Sequence, residues 1–208
     1  MGHLPVTGRA HWLRVVCLVA LALGAPGIVG VARAQTIDLK TWVASWPDHY
    51  AVSGRKFELT YIQAIDIRRA GDQFSVTGGA PLWIERWTQT ITVGPTGVLE
   101  NPMCGASPCP GLTRPSGYLA TATVLALARA NDLAGKGELR KFGSRWVVCV
   151  PGELLGFAHP LLDPCFDRAT GAVLAQWQRT SGRFDGPSLN PATVRVIVDE
   201  GKATAASN

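Results

Sequence analysis

A chain of 208 residues, 47% hydrophobic and 17% charged, is long enough for one ordinary domain and too apolar for wholesale disorder. Its formal charge of +5 rests partly on Arg9, Arg14 and Arg33; without residues 1–34 the basic count falls from 20 to 17 against 15 acids, a net charge of +2. No Lys/Arg cluster then remains to track a phosphate backbone, which excludes a nucleic-acid-binding class.

Residues 1–34 read as a secretory signal peptide. Arg9 and Arg14 precede a short apolar run, Val15–Ala25, and Ala32–Ala34 is a small-x-small cleavage pattern. The run is short for a bilayer span, and Pro26, Gly27 and Gly30 interrupt it, so an uncleaved anchor is the lesser reading. Cys17 lacks the small residues of a lipoprotein cleavage box before it. The expectation is export to the periplasm or the medium, with cleavage after Ala34, one domain over 35–200, a C-terminal tail over 201–208, and no stable membrane span in the mature chain.

The segment from Thr36 to Pro47 predicts an amphipathic helix. Leu39, Trp42, Val43 and Trp46 fall at helical spacing, Thr36 can cap it, and Pro47 stops it. Phe57, Leu59, Tyr61, Ile65 and Ile67 alternate with polar residues as one half-buried strand, on whose apolar face Gln63 also falls. The chain turns at Arg69–Asp72 and returns through Phe74 and Val76. A further alternating run places Trp83, Trp87, Ile91 and Val93 on one face, interrupted by Glu85. A buried carboxylate there would be a candidate ligand anchor or acid; a bulge turning it to water is the plainer reading.

A Pro/Gly-rich loop holds Cys104 and Cys109. An alanine-rich helix then runs from about Tyr118 to Ala134, capped by Ser116, stopped by Gly135 and apolar nearly all round. Strands follow on either side of Gly143–Ser144, in a hairpin over 164–179, and in a closing run with Val194, Val196 and Val198 on one face. Tight turns force antiparallel pairing. The predicted fold is α+β: a curved antiparallel sheet, open or curled into a half-barrel, packed against two helices and braced by two disulfides.

The mature cysteines are Cys104, Cys109, Cys149 and Cys165. An even count in an exported chain reads as two disulfides, with three possible connectivities; the expected one is local, Cys104–Cys109 and Cys149–Cys165. Neither a C-x-x-C redox pair nor zinc-ligand spacing is present. His49 and His159 sit in no metal-binding pattern, and no G-x-S-x-G elbow accompanies them. No cofactor or metal is expected.

Between Cys149 and Cys165 lie Leu154, Leu155, Phe157, Leu161 and Leu162. Loops normally run polar over the surface, so this one must fold on the core, cover a cavity or meet a partner. The stretch from Cys165 through Asp167, Thr170 and Gly171 to Leu174 resembles the D-x-x-T-G-x-L hairpins of LolA-like lipoprotein carriers, their LppX-like relatives and PepSY modules. Some such carriers also place a cysteine before the Asp and another on the preceding strand, as Cys165 and Cys149 stand here. The resemblance implies a half-open barrel holding an acyl chain.

The functional expectation is therefore an exported, non-catalytic protein binding a lipid or other apolar ligand through the 150–164 loop and the tryptophans Trp42, Trp46, Trp83 and Trp87, with Glu85. One alternative is an accessory subunit docking on a protein partner through the same loop. Another is a hydrolase using His49 or His159.

Overall fold

A computed structural model describes residues 35–57, 62–79, 86–104, 107–108, 117–156, 161–185 and 188–199. These fold as α+β, with two antiparallel sheets and two helices rather than the single curved sheet expected. The first sheet has the order β1 (Thr36–Asp38), β8 (Lys136–Phe142), β9 (Arg145–Cys149), β10 (Leu162–Asp167), β11 (Val173–Gln178), β12 (Arg183–Asp185). The second has the order β13 (Arg195–Val198), β2 (His49–Phe57), β3 (Ile62–Ala70), β4 (Gln73–Gly79), β5 (Trp87–Val93), β6 (Leu99–Cys104), β7 (Ser107–Pro108). Neither sheet closes into a barrel; each ends on short edge strands. One continuous core draws on both sheets and on both helices, α1 (Leu39–Ala44) and α2 (Ala120–Arg129).

The first helix is shorter than its apolar spacing predicts. Asp38, not Thr36, is the cap: its carboxylate accepts from the Thr41 amide and hydroxyl, each at 2.9 Å. Thr36 instead belongs to β1, which pairs with Glu138 to Lys136. Leu39, Trp42 and Val43 bury the inner face.

The predicted strand from Phe57 to Ile67 is a hairpin. Strand β2 already begins at His49 and pairs with β3 from Phe57↔Ile62 to His49↔Ala70; Leu59 and Tyr61 lie outside the described residues. The inward face of β3 carries Gln63, Ile65, Ile67 and Arg69. Both polar ends of that stripe are buried, at 9% and 6% exposure. Arg69 is satisfied: its guanidinium donates to Gly71 O and Pro47 O, both at 2.9 Å, and to Asp48 Oδ1 at 3.0 Å.

Helix α2 follows a 3-10 turn, Gly117–Leu119, and ends at Arg129, well before the expected Ala134. Asn131 adopts φ 63°, which breaks the helix; asparagine reaches this left-handed region more readily than other non-glycine residues. No side chain caps the N-terminus, and Ser116 lies outside the described residues. Arg129 fastens the C-terminus, donating to Val93 O at 2.5 Å and pairing with Asp72.

The β10–β11 turn forms as its residues dictate. Asp167 accepts from the amides of Ala169 (3.2 Å) and Thr170 (3.1 Å) and from the Thr170 hydroxyl (3.1 Å), and Gly171 has φ 75°. Cys149 and Cys165 are direct cross-strand partners and form a disulfide, buried at 3% and 0% exposure. The Cys104–Cys109 pairing falls outside the described residues; the backbone of Cys104 pairs with Ser107.

Candidate functional site

Four strands and one turn converge on a cavity of about 260 Å³ between the two sheets. Register builds it. On the inward face of the second sheet, Gly54, Ile65, Gly78 and Trp87 are successive cross-strand partners. Glycine at two of these four positions leaves room for large neighbours. The indole of Trp87 lies over Gly78, and Leu189 fills the space over Gly54, where a Cβ would meet its Cδ1 at 2.9 Å. The next pair on this face, toward the connection between β2 and β3, is Lys56↔Gln63.

Trp87 and Tyr118 give the lining its aromatic surface, and Val173 adds an apolar side chain from the first sheet. Amides line the rest: Gln63 from β3, Gln89 from β5 and Gln176 from β11. Gly117 stands at the edge. A Cβ placed there would meet only the Gln176 amide nitrogen, at 3.5 Å, an ordinary contact distance. Two larger grooves of about 450 and 400 Å³ also mark the molecule. They lack this combination: the first is lined by residues of β2, β3 and the segment from Ala192 to Arg195, with Arg55 and Arg195 exposed, the second by residues around the β8–β9 and β10–β11 turns.

The residues expected from sequence at a ligand site divide. Trp42 and Trp46 come together edge to face at 4.9 Å, with Phe166 at 5.8 Å from Trp42, and both are core residues at 2% and 6% exposure. The Trp42 indole donates to Arg168 O at 2.8 Å. Trp87 makes no ring contact with either among the described residues and instead walls the cavity. Trp83, Glu85, Phe157 and His159 lie outside the described residues.

The described residues at both ends of the 150–164 loop are tied down. A 3-10 turn, Gly152–Leu155, buries Leu155 and touches α2. The Gly152 amide donates to Asp163 Oδ1 at 3.0 Å, and Arg179 forks between Glu153 and Asp163 with contacts of 2.6–2.8 Å. The Arg179 hydrogen bonds hold the Glu153 carboxyl below its usual range. Leu154 and Leu161 remain exposed, at 42% and 40%, and Leu162 is half-buried on β10.

No family model, no curated protein and no solved structure matches the chain. The likeness to lipoprotein carriers therefore rests on the hairpin after Cys165 alone. The protein's chemistry has to be read from its own side chains. His49 is exposed at the start of β2, and the neighbouring Asp48 carboxylate is engaged by Arg69. Burial raises the Tyr50 hydroxyl far above its ordinary range, so it stays protonated. Among the described residues no three His, Cys, Asp or Glu side chains gather to hold a metal ion, and no helix is long and apolar enough to cross a membrane.

Sequence reasoning found Trp87 and noted Gln63. It missed Lys56, Gln89, Gly117, Tyr118, Val173 and Gln176. Each looks ordinary in its own segment, and only the pairing of distant strands brings them to one cavity.

Proposed function

We propose that this protein is an exported, non-catalytic binding protein that holds a small ligand with an apolar body in the cavity between its sheets. The cavity itself carries the reading: Trp87, Tyr118 and Val173 line it together with a few polar side chains. That is the composition of a ligand site rather than of a packed core. Ligand pockets usually span about 300–1,000 Å³, so a volume near 260 Å³ suits a compact ligand and not a fully enclosed long acyl chain. None of the described residues of the 150–164 loop, which its apolar content had suggested as the cover, lines this cavity. The buried disulfide is in keeping with an oxidising compartment.

Fluorescence titration with 1-aminonaphthalene tests this reading. Saturable binding to the native protein and its loss in Gly117→Leu are expected, because the new side chain enters the cavity without a backbone clash. No saturation, or equal binding by the variant, would rule the cavity out.

A second reading is docking on a protein partner. The exposure of Leu154 and Leu161 on a loop pinned by Arg179 favours it. Leu154→Ser/Leu161→Ser would then abolish partner capture from periplasmic extract without changing 1-aminonaphthalene binding; unchanged capture would dismiss it.

A further inference from the structure

The geometry points to a neutral hydrogen-bonding group on the ligand, of the carboxamide class, held by Gln63 and Gln176. The inference rests on the ligand-binding reading and specifies what the cavity selects.

Gln63 is one of few buried polar residues, at 9% exposure, and its amide has no side-chain hydrogen-bond partner among the described residues. That amide is not sealed from solvent: it lines the cavity, where its NH₂ and carbonyl are available to a ligand. Gln176 enters the same cavity from the other sheet, half-buried and likewise without a side-chain partner among the described residues. Its backbone amide is engaged by Ser188 Oγ at 3.1 Å, which fixes the strand that carries it.

Two amides on opposite sheets are a specific kind of recognition. Each presents a carbonyl acceptor and an NH₂ donor, and neither carries charge. A ligand carboxylate would meet two unused acceptors; a hydrocarbon would leave donors and acceptors dry. A carboxamide, with one carbonyl and one N–H face, satisfies both sides while its apolar body lies on Trp87. Lys56 also lines the cavity and already has an interaction of its own; a preference for phenylacetate would show that its ammonium, and not the amides, governs selection. The register partner of Lys56 is Gln63.

Displacement of bound 1-aminonaphthalene by phenylacetamide, phenylacetate and ethylbenzene tests this. The three share an aromatic body and differ in the polar group. Phenylacetamide should displace the dye at a concentration at least tenfold lower than either of the others. Gln63→Leu should weaken phenylacetamide at least tenfold and strengthen ethylbenzene; Gln176→Leu, at a half-buried position, should do the same to a smaller degree. Equal displacement by all three, or a preference for phenylacetate, overturns the inference while leaving the binding reading intact. So does unchanged phenylacetamide affinity in both variants. Failure of the dye itself to bind overturns the reading and the inference together.

Discussion

The indole of Trp87 occupies the space that a side chain on Gly78, its cross-strand partner, would need. A Cβ at Gly78 would fall 2.3 Å from Trp87 Cζ2 and 2.4 Å from Cε2. Gly78→Ala must therefore drive Trp87 off its wall. We expect a loss of about 1–3 kcal/mol, the usual scale of overpacking, read from urea unfolding, with weakened 1-aminonaphthalene binding. Gly79→Ala is the control. Its Cβ would meet only Arg86 Cγ inside 3.4 Å, at 3.1 Å, on a side chain that can yield, so stability should change by less than about 1 kcal/mol.

Gly171 is constrained twice. Its φ of 75° disfavours any other residue, and a Cβ would sit 2.3 Å from Trp46 Cε2. Gly182 has φ 63° and open space around it. Gly182→Ala should cost about 1–2 kcal/mol through backbone strain alone. Gly171→Ala should cost about 2–4 kcal/mol, strain and overpacking together. Equal losses in thermal or urea unfolding would show that Trp46 moves aside freely.

The neck of the 150–164 loop is closed covalently by Cys149–Cys165 and electrostatically by Arg179. Cys149→Ala/Cys165→Ala should lower unfolding free energy by about 3 kcal/mol, chiefly by freeing the unfolded chain, with little change in the folded circular dichroism spectrum. Arg179→Ala should act on the loop instead. It strips the cation from Asp163, which is 8% exposed, and should speed protease cleavage within 150–164.

Acid stability follows from three carboxyls held below their ordinary values. The Thr41 backbone N–H lowers Asp38, the Arg129 hydrogen bond lowers Asp72, and the Arg179 hydrogen bonds lower Glu153. A lowered folded-state value means that the unfolded chain binds protons first as pH falls. These groups therefore contribute fully above their ordinary values of 3.8 and 4.5, and the contribution disappears as pH drops through the folded ones. Urea midpoints should be flat above about pH 5 and fall below about pH 4. Asp72→Asn should flatten part of that fall.

Local chemistry was legible in the residues. Asp167, Thr170 and Gly171 make their turn with groups a few positions apart, and Cys149 and Cys165 sit where neighbouring strands bring them face to face. Strand β2 was not legible, because its inward positions include Tyr50, Val52 and then Gly54, and a glycine gives no hydrophobic signal. The division into two sheets was also hidden: Thr36 pairs with Glu138 and Arg195 with Ser53, and no local period reports such distant pairing. The cavity shares that cause. Gln63 and Gln176 look like ordinary strand polars until the fold sets them across the same space.

Each end of the described chain is clasped in the sheet built mostly by the other half. Strand β1 joins β8, and β13 joins β2. A chain severed between Pro108 and Gly117 would yield two pieces, each with a sheet lacking an edge strand that the other carries. Neither should fold alone, and mixing them should restore the whole, which makes the protein a natural candidate for split-fragment complementation.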